Sequence, residues 1–170
     1  MKKEVPMKNY FILALIFLVT VIGVFYAREW YNTSKEYYAQ NSVMTKVVRE
    51  IKSEEIANYT LENQKFVLYV ASGKNIELKD FEDKFKNLIQ DMDLVDSVLY
   101  MNLDGVEPNG FYDLLRNDFS AMSRIKNQII DDSSASLYVF TDGKITSVLN
   151  NVNDYSMKRL ESIITRWEIK

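Results

Sequence analysis

The strongest constraint on this chain is an uncharged segment near its amino terminus. From Tyr10 to Ala27 no residue carries a charge, and apolar side chains would occupy every face of a helix formed by this segment. The segment is about as long as a helix must be to cross the hydrocarbon core of a membrane. The sequence therefore predicts one transmembrane helix over residues 10–27, surrounded by membrane lipid. A buried core helix is the less favoured interpretation.

The charges that precede this segment predict its orientation. Three lysines lie in a short lead, residues 1–9, and lysines in this position keep the amino end of a membrane segment in the cytoplasm. A cleaved signal peptide is an open alternative, because Ala27 is able to precede a cleavage site. Phe25, however, stands where such a site needs a small residue. We therefore predict an uncleaved signal anchor in the cell membrane, with the rest of the chain outside the cytoplasm.

Residues 28–44 are predicted to continue as a helical stalk. Neither glycine nor proline occurs between Gly23 and Gly73, so no residue in this interval forces the helix to end at the membrane surface. Aromatic and apolar residues recur at seven-residue spacing, as they do where one helix packs against another. Packing against the chain's own domain is the alternative explanation of this spacing. We predict a seam for a protein partner or a second copy, formed by Trp30, Tyr31, Tyr37, Tyr38 and Met44.

Composition excludes several kinds of chemistry. The 170 residues include no cysteine and no histidine, which removes disulfides, thiol redox reactions and thiolate metal sites, and also the usual proton-transfer side chain. We therefore predict no cofactor and no metal. Residues 1–27 carry three lysines against one glutamate, so the net charge of −3 leaves −5 for the remainder. An acidic body of this kind argues against nucleic acid as a partner.

Residues 45–170 have the pattern of one α/β domain. Phe66 to Val70 form a continuous apolar run rich in β-branched and aromatic residues, which predicts a central strand covered on both faces. A polar loop follows, and from Leu78 to Met92 the apolar positions fall three and four residues apart, which predicts an amphipathic helix. The other predicted elements are a strand within 47–51, a helix capped by Ser53, a strand over 97–103, a helical segment from Phe111 to Ile129, a hairpin of 137–140 and 145–149 that turns at Asp142 and Gly143, and a final helix capped by Asn153 or Asp154.

The order of these elements resembles that of the thioredoxin-like fold family. KFVLYVAS is similar to the family's strand that leads into its active-site helix, VDSVLYMNLD to the next strand, and SASLYVFTDGKITSV to the closing hairpin. The resemblance implies a mixed sheet flanked by helices.

The same resemblance implies a degenerate active site. The family carries Cys-x-x-Cys at the mouth of the helix, where this chain has a stretch within Ser72 to Glu77 that contains no sulfur. We take Ser72, Gly73, Lys74 and Asn75 as the degenerate active-site loop. At the position of the family's cis-proline this chain has Ala135, and we predict a trans peptide there because a cis bond before a non-proline residue costs about 3 kcal/mol. Without both features, neither thiol exchange nor the family's usual way of holding a substrate carries over.

Two functions from different classes follow as hypotheses. The first is a non-catalytic protein-interaction or assembly subunit of an envelope complex, in a bacterium to judge from the bias toward lysine, asparagine and isoleucine. The second is an accessory enzyme or transport-accessory protein with a non-thiol site around Asp104, Tyr100 and Asp131, which requires a strongly shifted pKa in a cleft. A stalk that only sets the distance from the membrane is the plainest alternative.

Overall fold

The computed structural model describes residues 7–40, 42–131 and 133–169. Most of the predicted lead lies outside this described part, and so do the side chains of Tyr37 and Tyr38 in the predicted seam. The chain divides into two compact units, Met1–Tyr38 and Ala39–Lys170.

The described part of the first unit lies within helix α1, Met7–Gln40. Its segment Met7–Tyr31 is long and apolar enough to cross a membrane, with a mean hydropathy of 2.5. The hydroxyl of Thr20 donates to the carbonyl of Ile16 at 2.8 Å, so this polar group is satisfied within the helix, as a lipid environment requires. One apolar helix able to span a membrane is thus confirmed. A signal sequence has the same properties, and the orientation stays a prediction.

The second unit is built on a five-stranded mixed sheet of order β1-β3-β2-β4-β5. Strands β2 and β3 are parallel, with Tyr69 opposite Tyr100, and β2 and β4 are antiparallel, with Ala71 opposite Ala135. The carboxyl ends of β2 and β3 therefore meet the start of β4 at one edge of the sheet. The strands are β1 Arg49–Glu50, β2 Lys65–Ala71, β3 Val98–Asn102, β4 Ala135–Thr141 and β5 Lys144–Asn150.

Helices cover both faces of this sheet, which confirms the predicted α/β architecture. One core contains Tyr69 and side chains from α3 and α6, and the other contains Phe66 and side chains from α2, α4 and α5. Residues of β2 alternate between these two cores because successive side chains of a strand point to opposite faces. The helices are α2 Ile56–Glu62, α3 Lys79–Asp91, α4 Pro108–Leu114 (continued as a π-helical turn, Leu115–Phe119), α5 Ser123–Lys126 and α6 Met157–Arg166.

The predicted helical segment from Phe111 to Ile129 is wrong as a single element. It is interrupted after Phe119, where Ser120 is extended and its hydroxyl donates to the carbonyl of Leu115 at 2.9 Å. A serine side chain that takes over a backbone carbonyl in this way competes with continuation of the helix. Phe111 and Phe119 before the break and Ile125 and Ile129 after it still face the same core.

Two predicted helix caps are also wrong. The final helix starts after Ser156, because residues Val152–Asp154 form a separate 3₁₀ turn. Near the start of the domain, the carboxylate of Glu55 accepts the backbone N–H of Lys52 at 3.1 Å, so Lys52 takes the position predicted for Ser53. The predicted hairpin is confirmed, since Asp142 and Gly143 have φ of 49° and 75°, as a type I′ turn requires.

Candidate functional site

The loop Ser72–Asn75 lies at the edge where β2 and β3 end and β4 begins. Ala71, the last residue of β2, is opposite both Asn102 and Ala135. The register therefore places Ser72 and Gly73 next to Ala135, as the resemblance to thioredoxin-like proteins implied. We call this region, with the residues that bond to it, the mouth.

Hydrogen bonds tie the loop to the end of β3. The hydroxyl of Ser72 donates to Oδ1 of Asp104 at 2.7 Å, and the N–H of Gly73 donates to Oδ1 of Asn102 at 3.1 Å. A Cβ atom on Gly73 would lie 3.0 Å from Oδ2 of Asp104, so a larger residue here would displace that carboxylate by a few tenths of an ångström. On the other side of the loop, Oδ1 of Asn75 accepts the N–H of Glu77 at 3.1 Å and caps the turn that leads into α3.

A cluster of serines and asparagines occupies the β4 side of the mouth. Oδ1 of Asn151 accepts the N–H of Ser134 at 3.2 Å, and the hydroxyl of Ser134 donates to Oδ1 of Asn153 at 2.5 Å. The hydroxyl of Ser136 donates to Oδ1 of Asn150 at 3.1 Å. No cis peptide bond occurs within the described ranges, so the predicted trans bond before Ala135 is confirmed. These polar groups satisfy one another.

Sequence reasoning found the position of the mouth and missed this cluster. Its members come from two segments, 133–136 and 150–153, that meet only because β4 and β5 pair. The available signal was the density of serine before one strand of the hairpin and of asparagine after the other.

The three residues of the alternative non-thiol site have different partners. Asp104 accepts the hydroxyl of Ser72, whereas Asp131 is hydrogen-bonded to Arg116. Tyr100 is buried in the core with α3 and α6, while Arg116 donates to the carbonyl of Ile129 in the opposite core. Burial raises the pKa of Tyr100. The sheet therefore separates Tyr100 from Asp131.

The residues of the predicted seam lie in different environments. Trp30 and Tyr31 are exposed on α1. Met44 is not part of that helix: it begins a 3₁₀ turn, is 0% exposed, and belongs to the core with α3 and α6. Including Met44 in a partner seam is therefore a mistake, and for this residue the alternative, packing within the domain, is correct. A seam through Trp30 and Tyr31 stays a prediction.

Sequence reasoning also did not single out a buried carboxyl group. Glu82 of α3 is 3% exposed. One of its oxygens accepts the hydroxyl of Tyr69 at 3.0 Å and the other accepts the hydroxyl of Ser42 at 3.4 Å. The N–H of Met44 donates to the same serine oxygen at 3.2 Å. Glu82 therefore joins β2, α3 and the segment that opens the second unit.

Burial controls the protonation of this network. It raises the pKa of the Glu82 carboxyl, and hydrogen bonds from Tyr69, Ser42 and the Val43 backbone, with the charge of Lys79, oppose that rise only in part. Burial and the nearby Glu82 carboxylate raise the pKa of Tyr69 well above its usual range, so the phenol stays a donor. Because the Glu82 carboxyl is buried, its protonation affects the stability of the core. The same burial keeps it from contact with a substrate in the solvent.

We expect the contribution of Glu82 to the free energy of unfolding to fall as the pH rises from about 4.5, the ordinary pKa of a glutamate. Below that pH, Glu82 is protonated in both the folded and the unfolded chain, and above it the unfolded chain releases a proton that the folded chain retains. The stability that comes from the retained proton is lost as the pH rises through the raised folded-state pKa of Glu82. Glu82→Gln should flatten the decline, measured by urea denaturation at several pH values.

Glu77→Gln is the matched control, since Glu77 is exposed and precedes the same helix. It should leave the pH dependence of the wild type unchanged. Identical pH profiles for Glu82→Gln and the wild type would contradict the assignment of this effect to Glu82.

The fold of the second unit is similar to that of solved thioredoxins, whereas comparisons of sequence find no relative. No protein-family model and no curated protein matches the chain. Among solved structures, thioredoxin f2 of Chlamydomonas reinhardtii is similar at 10% identity with a TM-score of 0.50, over 72% of this chain and 98% of that one. Thioredoxin of Fasciola hepatica gives 14% and 0.48 over 70% and 98%, and mitochondrial thioredoxin 3 of Saccharomyces cerevisiae gives 13% and 0.47 over 72% and 98%. Similarity at this level of identity establishes the fold alone.

Proposed function

We propose that this thioredoxin-fold chain, which lacks the cysteine pair of that fold, is a membrane-anchored interaction module. Its domain would lie on the outer face of a bacterial cytoplasmic membrane and act by contacts with another protein of an envelope complex. The anchor would be the apolar helix within α1, oriented by the lysines before it.

The polar bonding of the mouth is the observation that carries this proposal. In the loop that follows β2, the hydroxyl of Ser72 is engaged by Asp104. On the facing side, Ser134 is engaged by Asn151 and Asn153. These groups stabilise the loops by bonding to each other. A sequence without cysteine cannot perform thiol exchange. The proposal therefore assigns the function to the outer surfaces of the domain.

In-cell photo-crosslinking tests the proposal. A photo-reactive amino acid placed at Trp30 or Tyr31, both exposed, should give one discrete crosslinked protein in cells of the native host. Ser72→Ala should leave that crosslink and the growth of the host cells unchanged, because it removes one partly exposed hydrogen bond at a cost of about 1 kcal/mol. Protease added outside the cell should remove the region after Arg28.

Three results would count against the proposal. A growth defect in cells that carry Ser72→Ala, with a normal level of folded protein, would assign chemistry to the mouth. Absence of any discrete crosslink from α1 or the domain would favour a passive spacer. Full protection from external protease would place the domain in the cytoplasm.

A further inference from the structure

Strand β5 has an unpaired edge. It is the last strand in the sheet order, so within the described ranges only β4 pairs with it. Proteins commonly protect such an edge with charged side chains, proline or a very short strand. Here the strand is seven residues long, contains no proline, and carries only Lys144 as a charged residue. The backbone N–H and C=O groups along this edge are therefore open to a further strand.

A groove runs beside this edge, with a volume of about 420 Å³. Met122 lines it from the segment before α5, and Ile163 and Trp167 line it from the region of α6. Met122 is 67% exposed although it is apolar. Because α5 and α6 cover opposite faces of the sheet, a strand added to β5 would find apolar side chains on both of its faces. An extended segment places alternate side chains on opposite faces and fits this arrangement.

The charge of the groove distinguishes two possible occupants, a second copy of this chain and a segment of another protein. Arg124 is the charged side chain among the residues that line it, and Lys144 begins the strand. Two copies of the chain joined edge to edge by a two-fold axis would bring Arg124 and its copy to the same face of the joined sheet, where like charges repel. A segment that carries a carboxylate would instead pair with Arg124.

We infer that the β5 edge binds an extended, acidic segment of a partner protein by strand addition. The partner segment would alternate apolar and polar residues, with an aspartate or glutamate near Arg124. This inference rests on the proposed interaction function, for which it names a surface and the class of its ligand. The inference does not depend on any residue of the mouth.

Two synthetic peptides test the inference on the full chain in lipid nanodiscs. Both have seven residues that alternate valine and threonine, and they differ only in one position, which is glutamate in the first and lysine in the second. The glutamate peptide should bind about fivefold more tightly, the size of an exposed ion pair. Arg124→Glu should reverse that preference. Hydrogen exchange of residues 144–150 should slow when the glutamate peptide is bound.

Met122→Glu should weaken both peptides about tenfold, because it places a charge in the apolar wall of the groove. Leu61→Glu is the matched control, since Leu61 is 85% exposed on α2 and does not line the groove, and it should leave binding unchanged.

The inference is overturned if neither peptide binds or if Arg124→Glu leaves the preference unchanged. It is also overturned if sedimentation shows a dimer and hydrogen exchange of residues 144–150 is already slow without peptide. A crosslink from Trp30 with no peptide binding would reject the β5 edge as a binding site and leave the proposed interaction function in place. Peptide binding without any crosslink in cells would reject the envelope assembly function and leave the edge as a binding site.

Discussion

Phe140→Ala is expected to lower the free energy of unfolding by about 3–5 kcal/mol, the usual cost of truncating a buried phenylalanine. Phe140 of β4 is 0% exposed. Its ring stacks on Phe66 of β2 with centroids 4.6 Å apart, and the ring of Phe119 meets it edge-on at 5.5 Å. The substitution would therefore leave a cavity between strands β2 and β4 and the π-helical turn. Urea denaturation of the full chain in detergent micelles, followed by circular dichroism, measures the change.

Ile76→Ala serves as the control for this measurement. Ile76 is also a large apolar residue, but it is exposed at the start of the turn before α3. Truncation at an exposed position changes stability by no more than about 0.5 kcal/mol. Equal losses from the two substitutions would mean that Phe140 does not hold the position that the core assigns to it.

Apolar periodicity predicted the elements of this fold whose side chains all serve the core. In β2, every residue from Phe66 to Ala71 is buried, so a continuous apolar run was sufficient to indicate a strand covered on both faces. The hairpin was predictable because the backbone at Asp142 and Gly143 needs a conformation that this residue pair favours. In both cases the signal lies within a few consecutive residues.

The features that were not predictable depend on polar contacts that the spacing of apolar residues does not reveal. The bond from Ser120 to Leu115 ends a helical segment whose apolar spacing continues past the break. Glu82 lies four residues after Leu78 and three before Phe85, on the buried stripe of α3, yet a count of apolar residues treats it as a solvent-facing charge. The mouth was located only through resemblance, because its serines and asparagines meet through pairing of β4 and β5.

Met44→Ala is expected to lower the free energy of unfolding by about 2–5 kcal/mol. Met44 is 0% exposed and lies in the core with Phe85 and Leu137. It also follows Ser42, whose hydroxyl donates to the Glu82 carboxylate. Loss of the methionine side chain would therefore open a cavity in this core. The same urea titration, monitored by circular dichroism, measures the loss.

Trp30→Ala is the matched control, because Trp30 stands fourteen residues earlier at the same heptad position but is 68% exposed on α1. Truncating it should leave the stability of the second unit unchanged within about 0.5 kcal/mol. If Met44→Ala behaved like Trp30→Ala in the titration and also abolished the crosslink from α1, Met44 would belong to the partner seam after all. A large loss for Met44 alone requires that the sheet domain begins before Met44, so that heptad spacing through this residue reflects folding of the domain and not contact between proteins.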